Sequence, residues 1–99
     1  MLKEQALRKL VREVTGKEHV EDGLGILLKS YLKQKIAEYR RQIAQLEREY
    51  GMEFEKYEKK LGEKLPLTWK HEQDYMAWEE AVINLRYFEQ VIEQLSTHA

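Results

Sequence analysis

The sequence predicts an all-α protein built around a long antiparallel helical hairpin. Apolar residues recur every three or four positions through most of the 99 residues, and no segment alternates with the period of a strand. Charged residues make up 35% of the chain, which contains one proline, a composition typical of solvated helices. Glycine and proline divide this single domain into four helices. We expect them at about residues 2–15, 23–50, 53–61 and 69–95.

The first two predicted helices are joined by a polar connector. Gly16 is placed to end the first helix, whose apolar stripe contains Ala6, Leu7, Leu10, Val11 and Val14. Asp22 is placed as the N-cap of the second helix, and Gly51 as its terminating glycine. Apolar residues of the second helix advance by three or four positions, as in a heptad seam: Leu28, Leu32, Ile36, Tyr39, Ile43, Leu46 and Tyr50.

The third predicted helix is short and the fourth is long. Pro66 interrupts the helical pattern after Leu61, and Thr68 can cap the fourth helix. The seam of the fourth helix steps by three and four without a break: His71, Asp74, Trp78, Ala81, Leu85, Phe88, Ile92 and Leu95. A second apolar set lies on a different side of this helix: Met76, Ile83, Tyr87 and Val91.

The length of the two long helices predicts self-association. Each is about 40 Å long at 1.5 Å per residue, whereas a compact domain of this size has a radius of gyration of about 13 Å. A fourth helix that is apolar on two sides needs a further partner, most simply a second copy that completes a four-helix bundle. We therefore expect a homo-oligomer, in the simplest case a dimer. The predicted self-association residues are Leu32, Ile36, Tyr39, Ile43, Leu46, Ala81, Leu85, Phe88, Ile92 and Leu95.

Composition and spacing argue against several kinds of function. The chain has no cysteine, which excludes disulfides and thiolate metal sites. Its apolar runs are too short to cross a membrane and no signal peptide is visible, so we expect a cytoplasmic protein without a membrane partner. His71 and Asp74, at positions i and i+3, could orient a base or hold a metal, but the further ligands of a helical metal site are missing. We expect no catalytic, cofactor-binding or metal-binding residue and no enzyme activity.

Charge is distributed unevenly along the chain. Residues 1–50 contain eleven Lys and Arg against eight Asp and Glu, and residues 51–99 contain six against ten. Basic residues on the first helix leave DNA binding as an alternative. However, the connector is longer than a helix-turn-helix turn, and no aromatic residues interleave the basic ones. A homo-oligomeric structural or DNA-associated regulatory protein is the alternative function, although the sequence does not support DNA as a partner.

Aromatic and acidic residues are combined in the third helix and at the start of the fourth. Tyr and Trp are enriched at the energetic centres of protein interfaces. The predicted partner-binding residues are Phe54, Tyr57, Trp69, Asp74, Tyr75, Trp78 and Glu79. Trp78 also lies on the heptad seam, so both a core and an interface role are open for it. The same two roles are open for Trp69 and Tyr75.

These residues resemble a pattern in small archaeal and bacterial proteins thought to be antitoxins of type II toxin–antitoxin modules. The pattern consists of Tyr50-Gly51-Met52, Phe54 and Tyr57, then Asp74-Tyr75 and Trp78-Glu79. The resemblance covers about residues 24–90 and implies an inhibitor of a small toxin enzyme, often a ribonuclease or nucleotide-modifying enzyme, encoded beside it. Such antitoxins frequently repress their own operon. This chain lacks a ribbon-helix-helix strand and a disordered tail, which weakens the implied DNA-binding role and leaves the inhibitor role.

Overall fold

A computed structural model describes residues 3–97 and contains four α-helices. They are α1 (Glu4–Thr15), α2 (Val20–Tyr50), α3 (Phe54–Lys60) and α4 (Trp69–Thr97). The predicted all-α class is confirmed, since the β-type contact in this range is one isolated bridge between Leu61 and Leu65. None of the described helices combines the length and hydropathy that a bilayer-crossing segment requires. The predicted start of the first helix, at residue 2, lies outside the described residues.

The long hairpin is formed by α2 and α4, which run antiparallel. Tyr50, at the end of α2, stacks on Trp78 with ring centroids 6.0 Å apart. Eleven residues earlier, Tyr39 stacks on Phe88 at 5.7 Å. The molecule measures 58 × 32 × 17 Å and has a radius of gyration of 19.3 Å, well above the value of about 13 Å for a compact domain of this size. The hairpin is therefore elongated and thin.

Several predicted self-association residues are core residues of the single chain. Leu32, Ile36, Leu46 and Ala81 are all less than 9% exposed. A second copy cannot reach them unless α4 separates from α2, so their assignment to a surface between copies is corrected. The other six are partly exposed and remain predictions: Tyr39, Ile43, Leu85, Phe88, Ile92 and Leu95.

Most of the predicted helix ends are confirmed. Gly16 and Gly51 have left-handed backbones with φ of 70° and 66°, which glycine adopts without steric cost. The Thr68 hydroxyl accepts the backbone N–H of His71 at 3.1 Å, which caps α4 as predicted. The predicted N-cap at Asp22 is wrong, because α2 begins at Val20, three residues before the predicted start at residue 23, and its N-cap is His19. Asp22 lies in the first turn, where its charge favours the helix dipole.

Helix α1 packs on the first turns of α2 at Gly23. A Cβ atom at this position would lie 2.6 Å from Val11 Cγ1 and 2.7 Å from Thr15 Oγ1, so the two helices approach closely because Gly23 has no side chain. Val11 is buried, but the rest of the predicted α1 stripe is exposed: Ala6, Leu7, Leu10 and Val14. The first helix therefore reaches α2 along one edge of its apolar stripe and leaves the remainder open.

Candidate protein-binding surface

An aromatic cluster fixes α3 against the junction of α2 and α4. Tyr57 and Trp78 have no exposed surface, and their ring centroids are 5.0 Å apart. Tyr50 packs on both rings, at 4.5 Å from Tyr57 and 6.0 Å from Trp78. Both buried residues were predicted to bind a partner. The partner-binding role is wrong for both, because a partner cannot reach side chains that α2, α3 and α4 enclose; for Trp78, the core role that was also open is the one observed.

A polar network ties the start of α4 to the end of α2. The Tyr50 hydroxyl donates to the Asp74 carboxylate, and Lys70 donates to Glu49 and, at 2.8 Å, to Asp74. Burial raises the pKa of Asp74, but the hydrogen bonds from Lys70 and Tyr50 lower it by more. The pKa of this carboxyl therefore lies below its ordinary value. Asp74, a predicted partner-binding residue, thus stabilises the junction of α2 and α4.

The predicted proximity of His71 and Asp74 does not produce a paired site. His71 Nδ1 lies 2.5 Å from the Thr68 hydroxyl, whereas the partners of Asp74 are Tyr50 and Lys70. Within residues 3–97, no three His, Asp or Glu side chains are grouped so that they could hold a metal ion. His71 also packs on Tyr50, with 5.8 Å between ring centroids. Its contacts are those of a residue that supports the start of α4.

The opposite side of α4 carries an exposed apolar row, the α4 stripe, formed by Trp69, Met76, Ile83 and Tyr87. Their exposed fractions are 73%, 68%, 57% and 60%. Steps of seven, seven and four residues keep these side chains on one side of the helix over about 27 Å. Three of them belong to the second apolar set predicted from the sequence. The structure leaves this side uncovered within one chain.

A shallow apolar hollow lies at the start of the α4 stripe. Its volume is about 390 Å³, and its lining comprises Leu61, Leu67, Trp69, Glu72, Gln73, Tyr75 and Met76. Leu67 is 64% exposed and was not among the predicted site residues. It follows Pro66 in a loop, where no helical period draws attention to an apolar residue.

Tyr75 connects this hollow to α3. Its ring stacks on Phe54 with centroids 5.7 Å apart. The single proton of its hydroxyl is shared between the carboxylates of Glu58, at 2.8 Å, and Glu79, at 3.0 Å, and this hydrogen bonding raises the pKa of Tyr75 above its ordinary value. The structure thus brings Phe54, Tyr75 and Glu79 together, and Tyr75 also lines the hollow that contains exposed Trp69.

The α4 stripe is surrounded by acidic residues. Helix α4 contains six Asp and Glu against two Lys and Arg. Glu72 lines the hollow, and Glu79 and Glu80 follow on the next turns. Exposed apolar side chains with an acidic rim suit a partner whose surface combines apolar and basic groups.

The basic face of α1 is partly neutralised on its own helix. Arg8 pairs with Glu4 at 2.8 Å, and Lys9 with Glu13 at 3.9 Å. These exposed pairs contribute little stability, but they lower the positive charge that α1 presents to a phosphate backbone. This geometry does not strengthen the DNA-binding alternative.

Comparisons with protein-family models, with curated proteins and with solved structures found no match. Any assignment of function therefore rests on the surfaces of this chain and on the sequence resemblance described above.

Proposed function

We propose that this protein is a binding module that associates with itself and neutralises a small toxin enzyme by occlusion. The observation that carries the proposal is the α4 stripe, four large apolar side chains each at least 57% exposed on a single helix. Contiguous apolar surface with a polar rim is typical of protein-binding sites.

The shape of the stripe favours a protein as the occupant. It extends for about 27 Å, longer than a drug-sized ligand, and reaches from the hollow near Trp69 to Tyr87. Trp69 and Tyr87 are large, rigid anchors that lose little conformational entropy on binding. A partner helix or loop that lies along α4 would cover the whole row.

The acidic rim indicates the chemistry of the partner. An enzyme that cleaves RNA needs a basic active site to hold the phosphate backbone. Glu72, Glu79 and Glu80 beside the stripe would attract such a site and direct the apolar stripe onto it. Covering the active site in this way would block the substrate without any chemistry by the inhibitor. The identification of the partner as a toxin rests on the resemblance of residues 24–90 to antitoxins.

The experiment is co-expression with the small protein encoded by the adjacent gene, followed by a binding measurement on purified proteins. We expect the wild type to relieve toxicity and to bind. Trp69→Ala and Met76→Glu should each weaken binding about 30-fold or more, as expected for an interface hot spot. Both side chains are about 70% exposed, so melting temperatures should stay close to that of the wild type.

Gln42→Glu is the matched control, because it adds the same charge at an exposed position of α2. It should bind as the wild type does. An adjacent-gene product that does not bind, or stripe variants that bind as tightly as the control, would refute the proposed function.

A further inference from the structure

A second exposed apolar patch lies at the opposite end of the hairpin. We call it the α1–α2 surface; it consists of Leu7, Leu24, Leu27, Leu28 and Tyr31, which are 38–50% exposed. The four α2 residues are spaced three and four apart, so they form one compact patch on one side of the helix. Leu7 of α1 lines the same small hollow as Leu24. The patch therefore spans both helices.

Leu28 belongs both to this patch and to the heptad seam of α2. Ile36 and Ile92 line the same groove between the two helices. Because the helices are antiparallel, Leu32 lies level with the last turn of α4, which ends at Thr97. Leu32 is 2% exposed, whereas Leu28, one turn earlier, is 44% exposed. Within residues 3–97, α4 covers Leu32 but not Leu28, so the apolar surface at Leu28 is suited to an intermolecular contact.

The size of the patch matches the apolar part of a stable interface. A standard interface contributes about 800 Å² per partner, of which roughly 60% is apolar. Five half-exposed side chains of this size offer on the order of 100 Å² each, which is close to that apolar share.

The charge of the two exposed apolar surfaces indicates which of them suits a second copy of the chain and which suits a different protein. Residues 3–31 contain six Lys and Arg against five Asp and Glu. Two copies can therefore approach through this end without net repulsion. The α4 stripe lies on a helix with six acidic and two basic residues, and two such surfaces would repel each other.

We propose that a second copy of this chain docks on the α1–α2 surface, with the same patch of each copy meeting across a two-fold axis. This inference rests on the self-association in the proposed function. It places the contact between copies on the α1–α2 surface, whereas the sequence predicted it along the seam of α2 and α4. The patch lies on the first turns of α2, at one end of the hairpin. The dimer is therefore joined end to end and is longer than the 58 Å of one chain.

The test is sedimentation equilibrium of the full chain with X-ray scattering of the same samples. Leu28→Glu and Leu7→Glu each place a charge on an exposed side chain of the α1–α2 surface, one on each helix. We expect a wild-type dimer with a maximum dimension well above 58 Å, and dimerisation weakened at least about 100-fold by Leu28→Glu. Leu7→Glu should also weaken dimerisation. Circular dichroism should show that both variants keep wild-type helicity.

Met76→Glu is the matched control, since it makes the same change on the α4 stripe. It should leave the dimer unchanged while weakening binding of the adjacent-gene product about 30-fold or more, so the two proposals can be refuted independently. The inference would be overturned by a monomeric wild type or by a dimer no longer than one chain. It would also be overturned if Met76→Glu dissociated the dimer and Leu28→Glu did not. If the wild type is monomeric and Leu28→Glu prevents binding of the adjacent-gene product, the inference is also overturned, and the patch is the binding site of that partner.

Discussion

Asp74 links the pH dependence of stability to the junction of α2 and α4. Its pKa is lowered in the folded state, so the ionised form favours folding. The resulting stabilisation is complete above the unfolded pKa of about 4 and is lost as the pH falls through the folded pKa. Asp74→Asn removes this contribution at every pH. We expect the difference in unfolding free energy between wild type and Asp74→Asn to be larger at pH 7 than at pH 3, measured by urea unfolding.

Glu80→Gln serves as the comparison, because Glu80 is an exposed carboxylate of the same helix. Its effect should be small at both pH values. A difference for Asp74→Asn that stays constant between pH 7 and pH 3 would show that the carboxylate does not stabilise the fold through its charge.

Gly23 and Gly25 test how α1 is attached to α2. A side chain at Gly23 would collide with Val11 and Thr15, and Val11 is buried and β-branched, so it cannot move aside easily. Gly25 has no atom within 4 Å of an added Cβ. Gly23→Ala should therefore release α1, whereas Gly25→Ala should keep it docked and gain up to about 1 kcal/mol from helix propensity.

Amide hydrogen exchange resolved along the chain measures this outcome directly. In Gly23→Ala, residues 4–15 should lose protection while residues 32–50 keep it. Equal protection of α1 in the two variants would mean that the close approach at Gly23 is not what holds α1 in place.

The periodicity of the sequence was sufficient to predict the helices and their apolar sides, but not to predict which residues contact each other within one chain. The heptad steps from Leu32 to Tyr50, and from Trp78 to Leu95, define which sides of α2 and α4 are apolar, and those sides do face each other. Periodicity does not state whether the facing seam belongs to the same chain, so Leu32 and Ala81 were assigned to a partner although they are buried within one chain. A core position and an interface position have the same pattern.

The candidate site shows the same limit at individual aromatic residues. Tyr57 and Trp69 are both large aromatics near acidic residues in the sequence, yet their exposed fractions are 0% and 73%. The difference arises from the position of α3. This helix packs on Trp78 and thereby buries its own Tyr57, whereas Trp69 lies outside the contact. That placement depends on the path of residues 61–68, which has no helical period from which it could be predicted.

At the scale of the whole molecule, the two exposed apolar surfaces lie far apart and differ in charge. The α1–α2 surface belongs to a nearly neutral segment, and the α4 stripe to an acidic helix. The elongated hairpin separates them along its 58 Å axis. One surface can therefore hold a second copy while the other stays open to a different protein, which makes a complex of two chains with two partners the expected assembly.

Salt should affect the two associations differently. The screening length falls from about 10 Å at 0.1 M salt to about 3 Å at 1 M, which weakens attraction between an acidic helix and a basic partner. We expect the association rate with the adjacent-gene product to fall at least about tenfold between 0.05 and 1 M NaCl, because electrostatic steering is lost. The dimerisation constant should change less than about threefold, since apolar burial at a neutral surface does not depend on screening. Stopped-flow binding and sedimentation equilibrium over this range measure both, and a dimer that dissociates as salt rises would show that charge holds the two copies together.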